Sequence, residues 1–90
     1  MNEINLGEVY YVIIRRIGIE SAKEFLHNLP VKLVSASWDI IASASEVKAR
    51  YALSYADCFA VASALKHAAS IVTGDPEFKK VEHMVEVDWV

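Results

Sequence analysis

A single cysteine, Cys58, leaves the chain without any internal disulfide to hold it together. No apolar run is long enough to cross a bilayer and nothing reads as a signal peptide, so the expected setting is a reducing cytoplasm. Positive charge is also short. Nine Lys plus Arg against twelve Asp plus Glu leave a net charge of −3, which excludes a bulk positive field for drawing in nucleic acid and confines any RNA or DNA contact to local groups. Repeats, low-complexity segments and linkers are absent. His27, His67 and His83 lack the close spacing of a zinc site.

What remains is an apolar chain: 54% hydrophobic residues against 23% charged is rich for 90 residues and excludes disorder. It reads as one minimal domain over residues 1–90. A chain of this size buries only roughly 60 to 65% of its unfolded surface, so stability is expected to be modest and some apolar surface to face a partner.

Apolar spacing divides the chain into elements. In "INLGEVYYVIIRRIG", Leu6, Val9, Tyr10, Ile13 and Ile17 recur at helical spacing and Gly18 is a natural stop. "IESAKEFLHNLP" predicts a short second helix with Ala22, Phe25, Leu26 and Leu29 inward, ended by Pro30. "VKLVSA" is short, β-branched and bounded by Pro30 and Ser37, which predicts a strand. From Trp38 to Arg50 a third helix follows, with Ile40, Ala44 and Val47 on one face beside Tyr51. Ser54 then caps a fourth helix, "YADCFAVASALKH", which is apolar almost all round and so belongs in the interior. "SIVTGD" reads as a core strand, "PEFKKVE" as a turn or one short helix, and "VEVDWV" as a last strand. Helices alternating with strands predict parallel pairing and an α/β sandwich.

Against this background two aspartates stand out. Asp57 interrupts the first turn of the apolar helix, and Asp75 follows the run Ile71–Gly74 at the carboxyl end of a predicted parallel strand, where ligands bind in such sheets. The helix runs antiparallel to that strand, so both acids are expected at one edge. Glu8, in the first helix, is a third candidate. Each also has a purely structural explanation. Asp57 stands three residues after Ser54, as in a capping box. Asp75 before Pro76 is a good N-cap. Glu8 shares a solvated stripe with Asn5 and Arg15. Cys58 reads as packing, and Trp38 and Trp89 as core or subunit contacts rather than base-stacking groups. None of Arg15, Arg16, Arg50, Lys79 or Lys80 is assigned to a phosphate.

Taken in order, "NLGEVYY", "LSYADCFAVASALKHAASIVTGDPEFKKVE" and "VEVDWV" resemble the PIN-domain family, most closely its VapC-type toxin ribonucleases. The most specific stretch is an Asp in a buried Ala-rich helix followed by a strand ending Thr-Gly-Asp-Pro-Glu-Phe. The resemblance implies a three-layer α/β/α sandwich with a parallel sheet. It also implies an Mg²⁺- or Mn²⁺-dependent ribonuclease that hydrolyses RNA phosphodiesters with a metal-activated water. Position by position, Glu8, Asp57 and Asp75 match the family's metal-binding catalytic acids, and Thr73 the hydroxyl residue beside the last of them. Implied partners are the RNA substrate, an antitoxin protein and a second copy in a homodimer or larger assembly. In the family, a strand ending in an aspartate precedes the segment that "NLGEVYY" resembles. The resemblance therefore implies an N-terminally shortened domain with one acidic ligand and one strand fewer. That opens the alternative of a catalytically weak or inactive PIN remnant that serves as a protein-interaction module.

Overall fold

The computed structural model describes residues 1–90. Four α-helices, α1 (Glu3–Ile17), α2 (Ile19–His27), α3 (Trp38–Arg50) and α4 (Tyr55–His67), precede strand β1 (Ile71–Thr73), a 3-10 helix over Pro76–Val81 and strand β2 (Val87–Trp89). No helix is long and apolar enough to cross a membrane.

The order is dictated by α4. Cys58, Phe59, Val61, Ala62 and Ala64 are all buried, so neighbours must cover it on several sides. Helix α3 supplies one cover with Ile40, Ala44 and Val47, spaced i, i+4, i+7. Leu53, Ile71, Phe78, Val81 and Val85 complete the same cluster from the segments around it. Ala68, at φ 50° in the left-handed region, ends α4 and turns the chain back into β1. Strands β1 and β2 pair in parallel, Ile71 with Val87 and Thr73 with Trp89, with the 3-10 helix in the crossover between them.

Helices α1 and α2 are held more loosely. Gly18, at φ 84°, separates them: its N–H donates to the Ile14 carbonyl and its own carbonyl accepts from Ala22. Leu6, Val9, Tyr10 and Ile13 are half-buried, Ile17 is exposed, and no residue of α1 is fully buried. In α2 only Ala22 is buried, while Phe25 faces solvent. The radius of gyration is 13.6 Å, against about 12 Å for a compact chain of this length. This is the excess expected of a helical pair lying against the body rather than within it.

Polar contacts fasten that pair. Asn2, buried, caps α1 by accepting the Ile4 N–H on Oδ1 at 2.8 Å, and its Nδ2 donates to the Ser63 hydroxyl of α4 at 3.1 Å. The segment "VKLVSA" differs from expectation. Its only sheet-like pairing is an isolated bridge between Val34 and Asn2, with Val31 and Leu33 exposed. A β-branched sequence forms a strand only beside a partner ladder, and here one residue has one. The molecule is therefore a mixed α/β fold, mostly helical, with a two-stranded parallel sheet. Strands of three residues are too small to hold helical layers apart, so the three-layer sandwich is not displayed. Trp38 is 76% exposed and is no core residue.

Asn2→Ala removes both the cap and the Ser63 contact and is expected to cost about 1 to 2 kcal/mol in urea unfolding. An unchanged midpoint would show that α1 docks without them. A second prediction concerns Asp39. Its carboxylate accepts from Lys66 Nζ and from the Ser37 hydroxyl, in that order of influence, and its pKa is held at about 2 rather than 3.8. A depressed carboxylate stabilises the fold above its ordinary pKa and loses that contribution as pH falls through the folded value. Asp39→Asn is thus expected to flatten the acid limb of the stability curve between pH 3.8 and 2. An acid limb identical to that of the parent sinks the assignment.

Candidate functional site

The start of α4 is built by Ser54, whose hydroxyl accepts the Asp57 N–H at 3.2 Å. The capping spacing read from the sequence is therefore real on the main-chain side. It leaves the Asp57 carboxylate, half-buried at the mouth of the helix, with no hydrogen bond from within the chain. Cys58 beside it is buried, and burial pushes its thiol pKa up. Lys48 opposes that shift, and the Asp57 charge adds to it. A thiol held protonated in this way is packing, not a nucleophile.

Asp75 occupies the exposed turn after β1. Its N–H donates to Thr73 Oγ1 at 3.0 Å, and its Oδ1 accepts the Glu77 N–H at 2.9 Å, capping the 3-10 helix that Pro76 opens. Oδ2 accepts nothing from the chain. Thr73 thus shapes the turn that presents Asp75. Glu8 is exposed on α1, with no hydrogen bond or ion pair to another residue.

Two contacts set the polarity of α1 against α4. Asn2 meets Ser63, and Asn5 Nδ2 donates to the Ala56 carbonyl at 2.8 Å. Rising numbers in α1 meet falling numbers in α4, so Glu8, one turn beyond Asn5, lies toward the end of α4 that carries Asp57. Strand β1 turns back from the other end of α4 and runs toward the same place. There Lys80, at the close of the 3-10 helix, donates to the Ala52 carbonyl just ahead of α4. The contacts of α1 thus direct Glu8 toward the end of α4 that carries Asp57, while Asp75 stands on a separate element, in the turn after β1. Asn5 is half-buried and bonded to α4, not a member of a solvated stripe with Glu8 and Arg15. Its signal was available in the sequence as an amide three residues from the capping Asn2, on the same helical face.

The oxygen donors fit a hard divalent cation, which takes one or two carboxylates and completes its shell with water and phosphate oxygens. Their spacing is open: no three His, Cys, Asp or Glu side chains gather closely enough to hold a metal ion. The only clear carboxylate perturbation in the chain is at Asp39, whose Lys66 partner closes the opposite end of α4. A surface depression of about 270 Å³ also lies there, between Asp39, Ile40, Ser43, Ala62, Leu65 and Lys66. Neither adjoins Asp57.

A family model for the PIN domain matches residues 1–84. No curated protein and no solved structure matches the chain. The matched span runs from α1 through the 3-10 helix, leaves only β2 outside, and includes Glu8, Asp57, Thr73 and Asp75 at the positions just described. This chain belongs to the PIN domain family, a family of nucleases.

Proposed function

We propose that the chain is a ribonuclease of the VapC toxin type, cleaving RNA phosphodiester bonds with Mg²⁺ or Mn²⁺ held by Glu8, Asp57 and Asp75. The observation that carries this reading is the family match over residues 1–84, a span that contains all three acids, supported by the α1–α4 contacts that direct Glu8 toward the end of α4 carrying Asp57. The ion, when bound, supplies an activated water and steadies the leaving oxygen. The chain's own contribution is electrostatic. Glu8 and Asp75 stand in solvent and Asp57 is half-buried, and Asp75 keeps one carboxylate oxygen uncommitted while the other caps the 3-10 helix. Three carboxylates drawn together repel one another, so they bind a divalent cation in preference to remaining ionised without one. Thr73 holds the Asp75 turn in place while the Oδ2 oxygen stays available. The natural partners on this reading are RNA, an antitoxin protein and a second copy of the chain, in the cytoplasm.

A second reading is a PIN remnant that binds an antitoxin-like protein, or itself, through its apolar helices. It is favoured by the open spacing of the acids and by Tyr11, Val12, Ile17, Ile19 and Phe25, all exposed on α1 and α2.

Asn is as good an N-cap as Asp, so Asp75→Asn removes charge and keeps the turn. It is expected to abolish metal-dependent RNA cleavage at an unchanged thermal midpoint, whereas Asp75→Ala also loses the cap, about 1 kcal/mol. Cleavage by the Asn variant at the parental rate would remove Asp75 from the site. Mg²⁺ or Mn²⁺ at 100 times its dissociation constant is expected to stabilise the parent by about 2.7 kcal/mol in thermal unfolding. Asp57→Asn should erase that shift. A parent that does not respond to either ion supports the interaction module instead.

A further inference from the structure

The turn between α3 and α4 is fastened to the segment after β1 at two points. Lys80 Nζ donates to the Ala52 carbonyl at 2.9 Å, and the Tyr51 hydroxyl meets His83 Nε2 at 2.9 Å with the two ring centres 5.7 Å apart. One side of this seam leads into α4, where the Ser54 hydroxyl accepts the Asp57 N–H. The other side is the 3-10 helix that Asp75 caps through the Glu77 N–H, and the Glu77 carboxylate is the second acceptor of Lys80. A single ammonium thus joins the element that carries Asp75 to the turn that precedes Asp57. Apolar contact alone does not fix this relation. Leu53, Phe78 and Val81 share the buried cluster, but burial of apolar surface is non-directional and leaves the two segments room to slide. Hydrogen bonds demand a distance and an angle, so the polar seam sets the register. Lys79, beside Lys80, is exposed and bonds nothing in the chain.

We propose, on the metal-binding reading above, that Lys80 is a positioning residue for the candidate site. It sets where Asp75 stands relative to the head of α4 when a divalent cation binds, and the Tyr51 to His83 contact is its second fastener. The sign of the effect separates positioning from electrostatics. Lys80 is a cation, so by charge alone its removal favours Mg²⁺ or Mn²⁺. As a positioning group its removal disfavours them, because losing a group that holds metal-binding side chains in place typically lowers affinity roughly 10- to 100-fold. Stability moves little in either case. Lys80 is exposed, and an exposed ion pair such as the one it makes with Glu77 contributes little to folding.

The whole chain is titrated with Mn²⁺ by calorimetry. Lys80→Met is expected to weaken binding about tenfold. Lys80→Arg, which keeps a cationic donor, is expected to restore it, and Lys79→Met, which removes the neighbouring charge, to weaken nothing. His83→Phe keeps a ring and the hydrophobic contact, loses the bond to Tyr51, and is expected to weaken binding in the same direction as Lys80→Met. A second readout needs no metal. Hydrogen exchange at the Leu53 and Glu77 amides, one on each side of the seam, is expected to quicken in Lys80→Met while the amides of α3 keep their parental rates. A Lys80→Met chain that binds Mn²⁺ as tightly as the parent, or more tightly, overturns the proposal and leaves the metal reading standing. Unchanged exchange at both amides overturns it as well. Where Lys80→Met does not fold, His83→Phe decides, and parental affinity in that variant overturns the proposal. A parent that takes up no Mn²⁺ removes the metal reading itself, and the positioning role with it.

Discussion

The need to bury α4 governs this molecule. A thirteen-residue helix with Cys58, Phe59, Val61, Ala62 and Ala64 all inside cannot be stable on a surface, and its cover must come from several directions. The chain meets that demand unevenly. Helix α3 and the β1 to β2 segment give it apolar contact and form one cluster of 13 buried residues. Helix α1 gives it two asparagines. A side of α4 lined by Ala56 and Ser63 has little apolar area to offer, so side-chain amides do the fastening there. Each such hydrogen bond is worth only about 1 kcal/mol net. The α1–α2 pair is consequently held by direction rather than by burial.

Direction is what the candidate site needs. Glu8 gains its place near the head of α4 from Asn5, one turn before it on α1, and Asp75 gains its place from the tight left-handed turn at Ala68 that sends β1 back along the helix. These contacts orient the elements that carry the acids, but they close no cage, and no three carboxylates gather around one point.

The helices are legible in the sequence because their cues are local. Gly18 and Ser54 sit where the helix ends require them, and the Ile40, Ala44, Val47 stripe is visible as spacing alone. The head of α4 is equally legible, down to the Ser54 to Asp57 bond. Non-local features are not. "VKLVSA" has the composition of a strand, but a strand is a relation between two segments, and only Val34 finds a partner. The size of Trp38 points to packing, yet it opens α3 on the side that faces no neighbour. Ser37 stands where a cap for that helix belongs. It precedes α3 in an extended conformation, but its hydroxyl is taken by Asp39, a competition that no propensity scale contains. The candidate acids fall between these cases. Their elements can be read, and their mutual distance cannot, because it depends on how α1 crosses α4.

The turn that carries Asp75 is set from two sides. Asp75 follows Gly74 directly, and its N–H bonds Thr73 Oγ1. A Cβ at position 74 would approach the Val90 side chain and carbonyl at 3.4 Å, so β2 crowds the inner side of the same turn. The Asp75 carboxylate then caps the 3-10 helix through Oδ1 and leaves Oδ2 without a partner in the chain. Cap and candidate ligand are therefore one side chain divided between two oxygens, and a substitution that keeps the first function can remove the second.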